Sequence, residues 1–355
     1  MRVGLFIEED SALSEGAATT MSALVGHMPG DVDVLTYRLE SGMISLLRAE
    51  GILRRAKRDR IDLIHLATIG PAAVAALFVA RQLSVPVVAS FSADFPSTLI
   101  RRRYLCLLSQ QCERVFAPSL SARVRLVASG LDPAKIAIWR PGVDTALFSP
   151  SRRSNVLRER WQVSDERSAV LYAGTLSDEK GVSRLLSLEI GLHRTHPMHR
   201  LIVIGDGPGR AALENKCSDA VFMGAMPHTD IPEAMASADL FVCPSATCST
   251  NHAVLEAQAA GLPTAVMEEG SARERVSGLS AVLCRSSVDL IVETASLIRN
   301  AARRKAMSAA ARENALRQRW STGLAPVYAE YRSTGQLSGV RRDFRPALAS
   351  QSRRL

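Results

Sequence analysis

The sequence predicts an α/β protein built of two Rossmann-like domains in tandem, facing each other across a cleft. Three observations predict it. Short apolar runs such as Val3–Ile7, Ile61–Leu66, Ala169–Ala173 and Leu240–Cys243 recur along the chain with helix-compatible stretches between them. The runs are continuous rather than alternating, which marks parallel strands covered on both faces. The rhythm breaks once, between Pro141 and Asp165, in a stretch with two prolines and a Ser/Arg run, and then restarts. With 355 residues the chain suits two cores better than one.

In the first half, strands are expected at Val3–Ile7, Val32–Thr36, Ile61–Leu66 and Val85–Phe91, with shorter ones at Val115–Ser119 and Ile136–Trp139. Helices fall at Ala17–His27, Leu46–Arg58 and Pro71–Leu83, and Gly16 sits in the Ser/Gly loop before the first of them. In the second half, Leu201–Ile204 runs into Gly205-Asp206-Gly207-Pro208, and Ala220–Phe222 and Leu240–Cys243 follow. Helices are expected at Lys180–Leu192, Gly209–Lys216, Ile231–Ala236, Val288–Asn300 and Ala302–Arg319, with Val327–Tyr331 behind them. Such spacing implies right-handed crossovers. The boundary is placed near Pro150, giving domains over 1–150 and 151–334. Residues 335–355 are poor in apolar side chains and are expected to be a flexible basic tail.

Pro244–Val266 is the stretch around which the chain is organised. A polar turn of small residues precedes a helical run from Asn251 to Ala260; Gly261 and Pro263 stop it, and a strand begins at Thr264. A helix start after such a turn offers unpaired N–H groups and partial positive charge, a natural seat for a phosphate. Ligands of doubly wound sheets lie outside the carboxyl ends of the strands, so the cleft is the expected site.

Composition narrows the classes. Hydrophobic content is 47% and mean hydropathy +0.05, with no run long enough to span a membrane. The start, MRVGLFIEED, reads as a first strand and not a signal peptide, so a cytoplasmic protein is expected. Cys106, Cys112, Cys217, Cys243, Cys248 and Cys284 show no metal-ligand spacing and are expected to be free thiols. The net charge of +9 gathers in Arg101-Arg102-Arg103 and in residues 331–355, which hold six Arg and one Asp. Aromatic content of 5% and the absence of a base-stacking pattern argue against nucleic acid. No G-x-G-x-x-G follows Val3–Ile7, which sets a dehydrogenase aside. Leu99, Ile100 and Leu105 beside the three arginines suggest an interfacial basic helix over Pro96–Leu108, suited to an anionic membrane surface.

Several stretches, in order, carry a resemblance. Ile61–His65 is similar to a "pDvvH" strand, Ser90–Pro96 to "sYHTdFP", and Arg140–Pro150 to "RGVDtelFhP". Gly174–Lys180 is similar to "GRLxxEK", Val203–Pro208 to "vVGdGP", and Pro244–Val266 to "PSxxExFGxxxLEAxAxGxPV". These are stretches of the retaining family-4 glycosyltransferases of the GT-B type, and the chain resembles most those acting on lipid or phosphatidylinositol-type acceptors. The resemblance implies transfer of a sugar from a UDP- or GDP-sugar to a lipid or glycan hydroxyl, with retained anomeric configuration and no metal. It implies that Lys180 contacts the diphosphate, that Glu256 holds the ribose hydroxyls, and that the backbone at Thr250, Asn251 and His252 faces the sugar and diphosphate. Gly16 would let backbone approach the donor, Thr175 and Gly205 would lie at the donor site, and Asp94 with Arg101, Arg102 and Arg103 would lie on the acceptor or membrane side.

The chain departs from the family pattern at the reaction centre. Ser92 stands where the family has His, Thr175 where it has Arg, and Cys248 where it has the first Glu of the pair; Thr250-Asn251 replaces Phe-Gly. A phosphate cation alone is worth roughly 1.5–3 kcal/mol. A second reading follows, a GT-B-shaped binding or partner subunit with little turnover.

Overall fold

The computed structural model describes residues 1–8, 15–40, 48–67, 69–91, 99–245, 252–269 and 271–351; for 15–18, 71, 101, 271 and 336–351 it describes backbone only. The chain divides into two compact units, Met1–Arg140 with Gly323–Leu355, and Pro141–Thr322.

Unit 1 runs β1 (Arg2–Glu8), α1 (Glu15–Gly26), β2 (Asp33–Leu39), α2 (Ala49–Asp59), β3 (Leu63–Leu66), α3 (Pro71–Leu83), β4 (Val87–Ser90), α4 (Leu99–Gln110), β5 (Arg114–Ala117), α5 (Leu120–Ala128) and β6 (Ile136–Ile138). The sheet order is β2-β1-β3-β4-β5-β6, with every pair parallel. Helix ends follow local chemistry: Pro71 begins α3 where its missing N–H costs nothing, and Ser119 Oγ accepts from Ala122 N at 3.0 Å to cap α5.

Unit 2 runs α6 (Asn155–Arg160), β7 (Ser168–Ala173), α7 (Val182–Thr195), β8 (His199–Ile204), α8 (Arg210–Lys216), β9 (Val221–Gly224), α9 (Ile231–Ser237), β10 (Leu240–Cys243), α10 (His252–Ala259), β11 (Thr264–Met267), β12 (Ala281–Cys284), α11 (Ser287–Arg299) and α12 (Ala301–Arg317). Its order is β12-β11-β10-β7-β8-β9, again all parallel. Strand periodicity divides the core into two layers. Ala169, Leu171, Ile202 and Ile204 enter one layer; Val170, Tyr172, Leu201 and Val203 enter the other. The strand order reverses between β7 and β10, so the loops leaving these two strands diverge and open a crevice at their carboxyl ends.

Several expectations are corrected. The division falls at Arg140/Pro141 and not near Pro150. The Pro-rich segment looks like a linker but packs as unit 2: Val143 N donates to Gln318 O at 3.0 Å, Arg275 Nη1 to Pro141 O at 2.9 Å, and Phe148 is buried in the unit-2 core. Residues 323–334, assigned by sequence to the second domain, belong to unit 1 on helix α13 (Trp320–Gln351). There the Tyr331 hydroxyl bonds His65 Nδ1, while His65 Nε2 meets Ser90 Oγ at 2.7 Å. Burial pushes the His65 imidazole down to about 3, so it is neutral. The α13 backbone stays helical through Gln351, where the sequence suggests a flexible tail. Among the described residues no helix is long and apolar enough to cross a membrane.

Candidate active site

The site is built where β7, β8 and β10 end. After β7 the chain turns through Gly174 and exposed Thr175 into a single helical turn, Asp178–Lys180, with Lys180 half-buried. After β8 it turns through Gly205, Asp206, Gly207 and Pro208. These two loops pack backbone against backbone. Gly174 N donates to Ile204 O at 3.0 Å, Leu176 N to Asp206 O at 2.9 Å, and Gly209 N to Leu176 O at 2.9 Å. A Cβ on Gly205 would lie 2.0 Å from Gly174 O, and one on Gly207 would lie 2.5 Å from Leu176 O. The glycines are therefore required for the approach of the two loops.

The β7 loop is tied in turn to the end of β10. Ser245 Oγ donates to Glu179 O at 3.0 Å, and Gly181, at φ +80°, packs on Pro244, whose carbonyl a Cβ would approach to 2.5 Å. The Lys180 turn is thus held beside the segment that leads to α10. Helix α10 opens at His252, whose ring lies 5.6 Å from that of Trp320. One turn on, Glu256 is 12% exposed and accepts from His228 Nε2 at 3.2 Å. The Glu256 hydrogen bond holds the His228 imidazole above its ordinary range, opposed by partial burial and aided by Asp144. Phe148 stands edge-on to the same imidazole, with centroids 5.5 Å apart. Arg312 fixes that stretch by donating to Phe148 O at 2.8 Å, Thr145 O at 2.9 Å and Ala259 O.

Of the sequence-derived site residues, Thr175, Lys180 and Gly205 share the paired loops, and His252 and Glu256 share α10. Ser92, Asp94, Cys248, Thr250 and Asn251 lie outside the described residues. Gly16 falls inside the first turn of α1 rather than in the preceding loop, a correction that follows from the helix starting at Glu15. Arg101, Arg102 and Arg103 lie on α4; Arg102 and Arg103 are exposed, and Arg102 donates to Ala128 O. Leu105, expected beside them on an interfacial face, is buried in the unit-1 core instead.

Sequence reasoning missed His228, Phe148 and Arg312. The only local signal was a His in the turn Pro227–Asp230 after β9; Glu256 is too distant in sequence for any spacing rule to pair them. Among the described residues no group of three or more His, Cys, Asp or Glu is placed to hold a metal ion.

Comparison with known proteins agrees with this architecture. Residues 11–147 match the profile described as Glycosyltransferase Family 4, and residues 154–314 match Glycosyl transferases group 1. A GDP-mannose-dependent alpha-mannosyltransferase of Mycolicibacterium smegmatis is 30% identical over 275 residues, covering 73% of this chain and 70% of that protein. One of the same description from Corynebacterium glutamicum is 33% identical over 57% of this chain and 50% of its own length, so the chain spans about half of that relative. Anabaena HepE, solved in complex with UDP-glucose, superposes with a TM-score of 0.79 at 19% identity, over 94% of this chain and all of that one, and shares the fold. The chain belongs to the group 1/family 4 glycosyltransferases, of the GT-B type.

Proposed function

We propose that the protein is a retaining glycosyltransferase that moves a hexosyl group from a nucleotide-diphosphate sugar to a lipid or glycan hydroxyl. The observation that carries this reading is the grouping, at the β7–β10 switch point, of glycine-built loops, Lys180 and the Glu256–His228 pair. A departing diphosphate needs cations and N–H dipoles already in place, and Lys180 with the start of α10 supplies them in this reading. Glu256 holds the ribose. The acceptor oxygen attacks the anomeric carbon on the face that the diphosphate leaves, and its proton passes to the leaving phosphate oxygen. No metal step is invoked. GDP-mannose is the first donor to test because the relatives above are named for it, and UDP-glucose the second because HepE holds it.

The acceptor side is proposed to meet an anionic membrane surface, on the inner face of the cytoplasmic membrane. On α4, Leu99, Ile100 and Leu107 are 65%, 81% and 62% exposed beside Arg102 and Arg103. The test is transfer of mannose from GDP-mannose to phosphatidylinositol in anionic vesicles, with the linkage read by NMR. An α-linked product, and vesicle binding that weakens as salt rises, are expected. A β-linked product would refute retention, and salt-independent binding would refute the surface.

One observation favours a second reading, a binding subunit with little turnover. Thr175, exposed on the loop that carries Lys180, brings no charge where the family has Arg. That reading expects donor binding without transfer.

A further inference from the structure

On the reading of Glu256 as the ribose-binding carboxylate, we propose that His228 is a positioning residue for the donor: its imidazole holds Glu256 through Oε1 and leaves Oε2 to accept from the vicinal hydroxyls of the ribose. One carboxylate oxygen has two lone pairs, enough to accept from both hydroxyls of a vicinal diol while the other oxygen is held. On a helix, a glutamate side chain has three rotatable bonds and no fixed orientation of its own. Among the described residues, His228 is the hydrogen-bond partner of the Glu256 side chain, at 3.2 Å.

The imidazole is itself held. Phe148 meets its ring at 73° and 5.5 Å, and the Phe148 carbonyl is fixed by Arg312 at 2.8 Å. The pair opens to solvent through His228, whose side chain is 49% exposed against 12% for Glu256. The charged groups that act on the imidazole are Glu256 on α10 and Asp144 from the segment before α6, both acidic; Asp230 is exposed on its own loop. Glu256 and Asp144 favour the imidazolium, which strengthens its hydrogen bond to the Glu256 carboxylate. Protonation of His228 is lost as pH rises through its raised value, so affinity for a diol-bearing nucleotide falls over the same interval.

The experiment is calorimetric titration of the full chain with the tighter-binding of GDP and UDP, and with the 2′,3′-dideoxy form of that nucleotide. His228→Ala is expected to lose about tenfold in affinity for the natural nucleotide, the scale of one charge-assisted hydrogen bond, and nothing for the dideoxy form. His228→Gln, whose amide N–H donates at a similar place, is expected to recover most of the loss. It is also expected to abolish the decline in affinity that the wild type shows as pH rises through the raised imidazole range. Equal weakening of both nucleotides in His228→Ala would mean a merely structural role and overturn the proposal. So would no weakening of either, with Glu256→Ala losing its preference for the natural nucleotide. An unchanged preference in Glu256→Ala, or no binding by the wild type, overturns the donor reading beneath it.

Discussion

Gly205→Ala is expected to leave unit 2 about 3–5 kcal/mol less stable, with the apparent Tm lower by about 10 °C. Two costs coincide there. The residue sits at φ +128°, which side-chain-bearing residues rarely adopt, and the added Cβ would meet the Gly174 carbonyl at 2.0 Å. Neither backbone is free to withdraw, since Gly205 N donates to Gly224 O at 2.8 Å and Gly174 N to Ile204 O at 3.0 Å. Retreat of either loop breaks bonds at a strand end. Gly26→Ala, where a Cβ meets nothing within 4 Å, is the control and should stay within about 1 kcal/mol of the wild type. Differential scanning calorimetry of both variants decides the matter. A loss below about 1 kcal/mol for Gly205→Ala would mean that the two loops do not pack as described.

Thr175→Arg is expected to strengthen binding of GDP or UDP by about 1.5–3 kcal/mol, roughly 10- to 150-fold. The position is exposed, follows Gly174 at the end of β7, and lies on the loop that ends in Lys180. A guanidinium there gives the two parallel N–H donors that a phosphate accepts. The parent nucleoside, which has no phosphate, should bind no better to the variant. Equal gains for nucleoside and nucleotide would show a nonspecific effect, and no gain would remove Thr175 from the diphosphate contact. Transfer rates of the same variant separate the two readings of function. A rate that rises with affinity marks an enzyme weakened at one contact, and a rate that stays at zero marks a binding subunit.

Most of the architecture was legible because it rests on burial, which the sequence writes plainly. β7, β8, β10 and β11 each hold a continuous apolar run, Ala169–Ala173, Leu201–Ile204, Leu240–Cys243 and Ala265–Met267, and their two-residue period sorts side chains into the two core layers that the structure contains. Gly205 and Gly207 marked the end of the Leu201–Ile204 strand. What was not legible depends on partners far away in the chain. Pro141–Pro150 has the composition of a linker, and the carbonyls offered to Arg275 and Arg312, with Phe148 buried in the core, reveal it as part of unit 2. Tyr331 stood in sequence in a short stretch behind the closing helices of the second domain; its bond to His65 in β3 accompanies the assignment of the chain from Gly323 on to unit 1. Leu105 shows the same limit, because an amphipathic pattern does not say which apolar residue faces inward. His228 was invisible for a similar reason: a histidine in a polar turn has no sequence mark until the fold sets it 3.2 Å from a buried carboxylate.

The central claim is that unit 2 binds a nucleotide-sugar between the Lys180 loop and Glu256. The most direct test is calorimetric titration with GDP-mannose, UDP-glucose, UDP-N-acetylglucosamine and UDP-galactose, repeated on Lys180→Ala and Glu256→Ala with folding checked by circular dichroism. Saturable binding of at least one donor is expected, weakened by about tenfold or more in each variant. Folded wild-type protein that binds none of the four, or variants that bind as well as the wild type, would contradict it.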